Sequence, residues 1–195
     1  GDGDGGAIRE LLKFRAVTNV TWVEIDESVV HACVAHLRLL PKSALSDGRV
    51  NPVCADGRAF LRATDERFDI VLISVTDATA HDVEQSLYSN TVYREVRRVL
   101  TKDGFLCRSV GSLTPDYPTS LRSHAKAINR EFSNSIPYSV GLPAFGIDWG
   151  FVVACEKPFP NRRWRARMGS PRFIGEKMFS LLRARPVLSG IKCAQ

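Results

Sequence analysis

The residues best equipped for chemistry lie in a few short clusters. The first six, GDGDGG, carry glycines at Gly1, Gly3, Gly5 and Gly6 and carboxylates at Asp2 and Asp4. Glycine lets the backbone approach a ligand closely, and a helix starting behind such a turn offers N–H groups that have no partner inside the helix. Glu24 and Asp26 follow about twenty residues on, the offset at which a strand-end carboxylate can accept hydrogen bonds from both hydroxyls of a ribose. An Asp directly before a helical run is explained as its cap, so Glu24 is the better ligand candidate. Asp56-Gly57 is a further turn at a strand end, open to two readings: a helix cap or a ligand contact on the same edge. Ser74 and Asp77 follow the next apolar run.

These clusters need strands to aim them and helices to back them. Ala7 to Phe14 has helix formers with Leu11 and Leu12 on one side. Val20 to Ile25 alternates and is rich in β-branched residues, and Glu27 to Leu40 reads as a helix whose apolar stripe is Val29, Val30, Cys33, Val34 and Leu37. Val50 to Ala55 is a short strand leading into a helix over Arg58 to Thr64. The run FDIVLI, Phe68 to Ile73, lacks alternation and predicts a parallel strand buried on both faces at the centre of the sheet. Val75 to Ser86 reads as a polar loop and Leu87 to Leu100 as a helix. Asp103-Gly104 then turns the chain into a strand over Phe105 to Val110. Ser120 to Phe132 is helical, and Ser135 to Val140 and Trp149 to Cys155 are strands expected to pair antiparallel at one edge. Alternating strands and helices of this length predict an α/β fold: a doubly wound, mostly parallel Rossmann-like sheet of the class I methyltransferase type. A glycine loop of this kind normally follows an apolar strand, and nothing precedes Gly1, so the sheet is expected to lack its first strand and the chain to be part of a longer protein.

In order and approximate spacing, GDGDGG-x-x-REL-L, VEID, ADG-x-x-FL, FDIVLI-x-x-TD, LY-x-x-x-x-Y and PAFGIDWGF resemble the signatures of the spermidine synthases, the polyamine aminopropyltransferases, from Gly1 to about Pro158. The resemblance implies transfer of an aminopropyl group from decarboxylated S-adenosylmethionine, as co-substrate, to putrescine or a related diamine, without a metal. It implies that Gly1, Gly3, Asp4 and Gly5 surround the donor, with Asp4 on the ammonium of the aminopropyl chain. Glu24 would then hold the ribose, and Asp56 with Gly57 the adenine. A decarboxylated donor presents an ammonium and no carboxylate, so an acid at Asp4 suits it better than it suits a methyl donor. Counted from Asp69, Ser74 falls where the family carries its general base, Asp77 at the second acid, and Ala78 at the following proline. Asp77 is therefore the catalytic candidate, with Ser74, Asp77 and Phe145 on the diamine side. Phe145 stands where the family has a tyrosine. Losing a general base costs ~10²–10⁴-fold in rate. A non-catalytic binding subunit and an S-adenosylmethionine-dependent methyltransferase are the alternatives, with a basic-tailed nucleic-acid binder as the third.

Bulk properties narrow these classes. With 195 residues, 44% hydrophobic and 25% charged, the chain has ordinary globular composition and room for one sizeable core. The expected division is a catalytic domain over 1–157 and a basic tail over 158–195, with a short helix at Phe173 to Arg183. The net charge of +6 belongs to that tail: Glu156 to Gln195 holds ten Lys or Arg against two Glu, leaving 17 basic and 19 acidic residues before it. A nucleic-acid partner is therefore not expected of the body. Arg162, Arg163, Arg165 and Arg167 with Trp164 read as a solvated tail, and His31 and His36 as surface or packing residues. No apolar run reaches the ~18 residues of a membrane span. Cys33, Cys54, Cys107, Cys155 and Cys193 show no metal-type spacing and read as reduced core thiols, which favours the cytoplasm. A homo-oligomer is implied by the resemblance.

Overall fold

The structure is a computed structural model that describes residues 1–37, 45–75, 89–113, 120–143 and 146–159. The described residues cluster into two compact units, one ending at Ala63 and the other starting at Thr64.

The first unit runs α1 (Gly6–Leu12), β1 (Val20–Glu24), α2 (Glu27–His36), β2 (Val50–Cys54) and α3 (Gly57–Ala63). β1 and β2 pair in parallel with Val20 opposite Val50 and Glu24 opposite Cys54, so the carboxyl ends of both strands finish level. Pro52 in β2 supplies no N–H, which a strand at a sheet edge tolerates. The core is small: Ile8, Trp22 and Val50 are buried, with Leu12, Val20 and Val30 packed against them. The stripe expected on α2 is mostly not core. Val29 and Leu37 are 43% and 39% exposed, and of the stripe only Val30 packs on that cluster. Val29 is used elsewhere, against the glycine loop.

The second unit runs β3 (Phe68–Ile73), α4 (Asn90–Val99), β4 (Leu100–Ser112), α5 (Ser120–Ile128), β5 (Asn134–Leu142) and β6 (Ile147–Cys155). Its sheet has the order β3-β4-β6-β5, with β3 and β4 parallel and the β4-β6 and β6-β5 pairs antiparallel, as expected for the last strands. α4 and α5 pack on one face. There Val92, Tyr93, Val96 and Val99 of α4 and Ala125 and Ile128 of α5 are buried, as are Leu106, Val110, Val152 and Ala154 of the sheet. β4 alternates accordingly over 104–110 and β6 over 150–154, buried residues interleaved with half-buried ones.

Two expectations for this unit are corrected. The FDIVLI strand is not buried on both faces: Ile70 and Leu72 are 37% and 38% exposed, and among the described residues β3 pairs with β4. Asp103-Gly104 does not precede β4 but lies inside it, at a register shift that sets Phe68 against Leu100 and Ile70 against Phe105. A Cβ on Gly104 would come within 2.9 Å of the Phe68 carbonyl oxygen, so glycine is required where the two backbones pass.

Candidate functional site

The glycine loop is shaped by its own carboxylates. Asp2 and Gly5 both adopt left-handed backbone, with φ of 83° and 71°, and the Gly5 N–H donates to the Asp2 carbonyl at 2.8 Å to close the turn. Gly5 then caps α1 without a side chain of its own. Asp2 supplies the missing acceptor: its Oδ2 receives the Ala7 N–H at 2.9 Å and the Ile8 N–H at 3.3 Å. Burial, with the neighbouring charge of Asp4 second, pushes the Asp2 carboxyl up to about 6. Asp4 accepts the Gly6 N–H on Oδ1 at 2.8 Å.

The loop touches the end of β1. The Gly1 nitrogen donates to the Val23 carbonyl at 2.7 Å. A Cβ on Gly3 would lie 2.7 Å from Val29 Cγ1 and 3.4 Å from Glu24 Oε2, so no larger residue fits there without a shift. Glu24 Oε1 accepts the backbone N–H groups of Ile25 and Asp26 at 2.9 and 3.2 Å, which folds the carboxylate back over the strand end. Asp26 caps α2, its Oδ1 accepting the Ser28 N–H at 2.9 Å, and the Ser28 hydrogen bonds hold its carboxyl below the usual range. Asp26 thus belongs to the helix, as its place before the helical run predicts, and the Glu24 carboxylate lies beside the glycine loop.

Of the two roles offered for Asp56, the cap is the one its hydrogen bonds fill. Its Oδ1 accepts the Arg58 and Ala59 N–H groups at 2.8 and 3.0 Å, capping α3, and Oδ2 lies 3.2 Å from Arg58 Nη2. These bonds, the Ala59 one foremost, hold the carboxyl below its ordinary value. The Ala55 N–H donates to the Glu24 carbonyl at 3.0 Å, so Asp56 sits on the edge where Glu24 ends. A Cβ on Gly57 would meet nothing within 4 Å, leaving open space beside it. Between these acids Ile25 is 61% exposed and Cys54 is also exposed, its Sγ 3.8 Å from the Ile25 carbonyl. Reading Cys54 as a core thiol is thus corrected: at the carboxyl end of β2 it lies on the site's edge. Sequence reasoning also missed Ile25, whose signal was its place between two strand-end carboxylates.

Gly1, Gly3, Asp4, Gly5, Glu24, Asp56 and Gly57 are all brought together in the first unit. In the second, Ser74 is exposed just past β3. Asp77 and Phe145 lie outside the described residues, as do the loop beyond Val75, the helix expected at 173–183 and the arginines of the tail. The second unit also holds a group missed from sequence. Arg108 is fully buried on β4, with its guanidinium 5.9 Å from the centre of the Tyr93 ring. The Tyr93 hydroxyl lies 3.4 Å from His124 Nδ1, and burial, then the charge of Arg108, pushes His124 down to about 4. A lone arginine inside the apolar run FLCRSV was the available signal.

Parallel strands ending level and a glycine turn opening the first helix make a Rossmann-like α/β fold. The chain belongs to the spermine/spermidine synthase family, whose domain matches residues 1–163. Among its relatives are the polyamine aminopropyltransferase of Sulfurisphaera tokodaii, 32% identical over 93% of this chain and 64% of that protein, and that of a Synechococcus, 30% identical over 83% and 52%. Polyamine aminopropyltransferase 2 of Bacillus anthracis is 33% identical over 82% of this chain and 44% of its own length. The chain thus spans about half to two thirds of the curated relatives it matches. A solved spermidine synthase in complex with the transition-state analogue AdoDATO superposes with a TM-score of 0.84 at 23% identity, covering 95% of this chain and 64% of that one. The spermidine synthase of Thermotoga maritima gives 0.82 at 23% identity. Both confirm the fold. No helix among the described residues is long and apolar enough to cross a membrane.

Proposed function

We propose that the protein carrying this chain transfers an aminopropyl group from decarboxylated S-adenosylmethionine to putrescine or a related diamine, a step of polyamine biosynthesis. The observation that carries this reading is the meeting of the glycine loop with Glu24 at the end of β1, where a Cβ on Gly3 would lie 3.4 Å from Glu24 Oε2. Glu24 there accepts from the ribose hydroxyls, Asp4 faces the donor's ammonium, and the exposed Ile25 with the open space at Gly57 offers a flat apolar surface to the adenine beside Asp56. The relatives' names support the same reading, as does the analogue bound to the solved spermidine synthase.

In the reaction an amine nitrogen of the diamine attacks the carbon beside the sulfonium. The carbon–sulfur bond breaks with its electron pair going to sulfur, releasing methylthioadenosine, and the new secondary ammonium loses a proton. The sulfonium is already a good leaving group, so the protein's tasks are to align the pair and to accept a proton from an amine whose free pKa is ~10. Ser74, where the family has its base, cannot accept that proton at neutral pH. Asp77 is the acid assigned to the diamine and to this step, with Phe145 lining the acceptor side, and no metal is required. Residues 1–157 form the catalytic domain on this reading, with 158–195 as a basic tail. On this reading the protein works in the cytoplasm as a homo-oligomer without a nucleic-acid partner, and the free thiols Cys33, Cys54, Cys107 and Cys155 are in keeping with a reducing compartment.

Ser74, exposed past the end of β3, favours one second reading: a family member that binds donor without turning it over. Comparing affinities for decarboxylated and ordinary S-adenosylmethionine tests the substrate class. Preference for the decarboxylated form is expected. Equal or tighter binding of the carboxylated form would show a methyl-donor site instead.

A further inference from the structure

Arg49 lies outside the candidate site, yet the structure gives its side chain an unusually complete set of partners. Nε donates to Asp47 Oδ1 at 2.9 Å and Nη2 to Asp47 Oδ2 at 2.8 Å, a bidentate pair. The remaining donors turn to backbone carbonyls: Nη2 to Leu12 at 3.0 Å, Nη1 to Val17 at 3.0 Å and Nη1 to Phe14 at 3.5 Å. All five N–H groups of the guanidinium are therefore engaged. The main chain of the same residue joins the two strands, since the Val20 N–H donates to the Arg49 carbonyl at 2.8 Å. Asp47 is aimed in turn: its Oδ1 also accepts the Arg49 N–H at 3.0 Å, and the guanidinium holds its carboxyl down to about 2.

Leu12 is the last residue of α1, and Phe14 and Val17 belong to the link from α1 to β1. One side chain thus ties the end of α1 to that link, while its backbone carries the start of β1. The opposite ends of these two elements are the glycine loop and Glu24. α1 has seven residues and so spans only ~10 Å, too short for a tilt at its far end to be absorbed before the loop.

We infer that Arg49, aimed by Asp47, is a positioning residue for the donor site, fixing α1 against β1 so that the glycine loop and Glu24 keep their contact. This rests on the functional reading above. Lysine keeps the charge at this position but has one nitrogen and no planar fork, so it cannot reproduce the pair with Asp47 together with the three carbonyl bonds.

The test is calorimetric titration of methylthioadenosine into the full-length protein and its R49K and D47N variants, with thermal melts alongside. The wild type should bind at one site per chain. R49K should bind at unchanged stoichiometry about tenfold more weakly, the scale of losing one charged hydrogen-bond set, and D47N should shift the same way by less. In turnover the donor KM should rise with the diamine KM unchanged. Equal affinity in wild type and R49K would overturn the inference while leaving the functional reading intact. Fewer binding-competent molecules at unchanged affinity would also overturn it, since that is what a purely structural role yields. Should R49K fail to fold, D47N is judged by the same outcomes. A wild type that does not bind methylthioadenosine would overturn the functional reading and this inference with it.

Discussion

Glu24→Ala removes a carboxylate with two distinct jobs. Oε1 holds the N–H groups of Ile25 and Asp26, and Oε2 faces Gly3 at the glycine loop. The first loss has little effect on folding, because the bonds to Ile25 and Asp26 are exposed and water replaces the carboxylate there. The second removes the acceptor assigned to the ribose. Hydrogen bonds to a charged group are worth ~1.5–3 kcal/mol, so affinity should fall roughly ten- to a hundredfold. Glu24→Gln keeps the shape and one acceptor and should lie between the two. Titration calorimetry with methylthioadenosine on full-length wild type and both variants reads the effect, and thermal melts report the folding term separately. Equal affinities across the three proteins would refute the placement of ribose at Glu24. A fall in melting temperature large enough to explain weak binding would refute the claim that the two jobs separate.

Asp2→Asn tests the internal acceptor at the start of α1. The folded carboxyl, raised to about 6, binds protons more tightly than the same group in the unfolded chain, so its contribution favours folding at low pH and is lost as pH rises through 6. The variant should gain melting temperature over wild type at pH 7.5 and none at pH 4, and a pH-independent difference would count against the assignment. Trp22→Ala should destabilise by ~3–5 kcal/mol in chemical denaturation, because it empties the centre of a small core, whereas a change under 1 kcal/mol would show that this cluster is not what holds α1 to the sheet.

What was legible in the sequence was mostly local. The glycine loop, the strand-end acids and the cap at Asp26 are set by neighbours within a few residues, and periodicity places most helices and strands near their observed bounds. What depended on distant partners was not legible. FDIVLI advertised burial on both faces, yet Ile70 and Leu72 are exposed, and the α2 stripe concealed that Val29 serves the loop rather than the core. Gly104 reads as a turn because its role, passing the Phe68 carbonyl, is set by a residue 36 positions earlier. Arg49 was overlooked for the same reason: its partners at Leu12, Phe14 and Val17 lie 37, 35 and 32 residues away. Arg108 and His124 acquire meaning only once β4 and α5 pack together.

Product analysis separates aminopropyl transfer from donor binding alone. The full-length protein is incubated with decarboxylated S-adenosylmethionine and putrescine at neutral pH, and methylthioadenosine and spermidine are followed by mass spectrometry beside a Ser74→Asp variant. Slow, equimolar appearance of both products is expected from wild type, accelerated in the variant by up to ~10²–10⁴-fold, the usual worth of a restored base. If both proteins bind methylthioadenosine and neither forms spermidine or any other aminopropylated amine, the account of this chain as part of an aminopropyltransferase is contradicted.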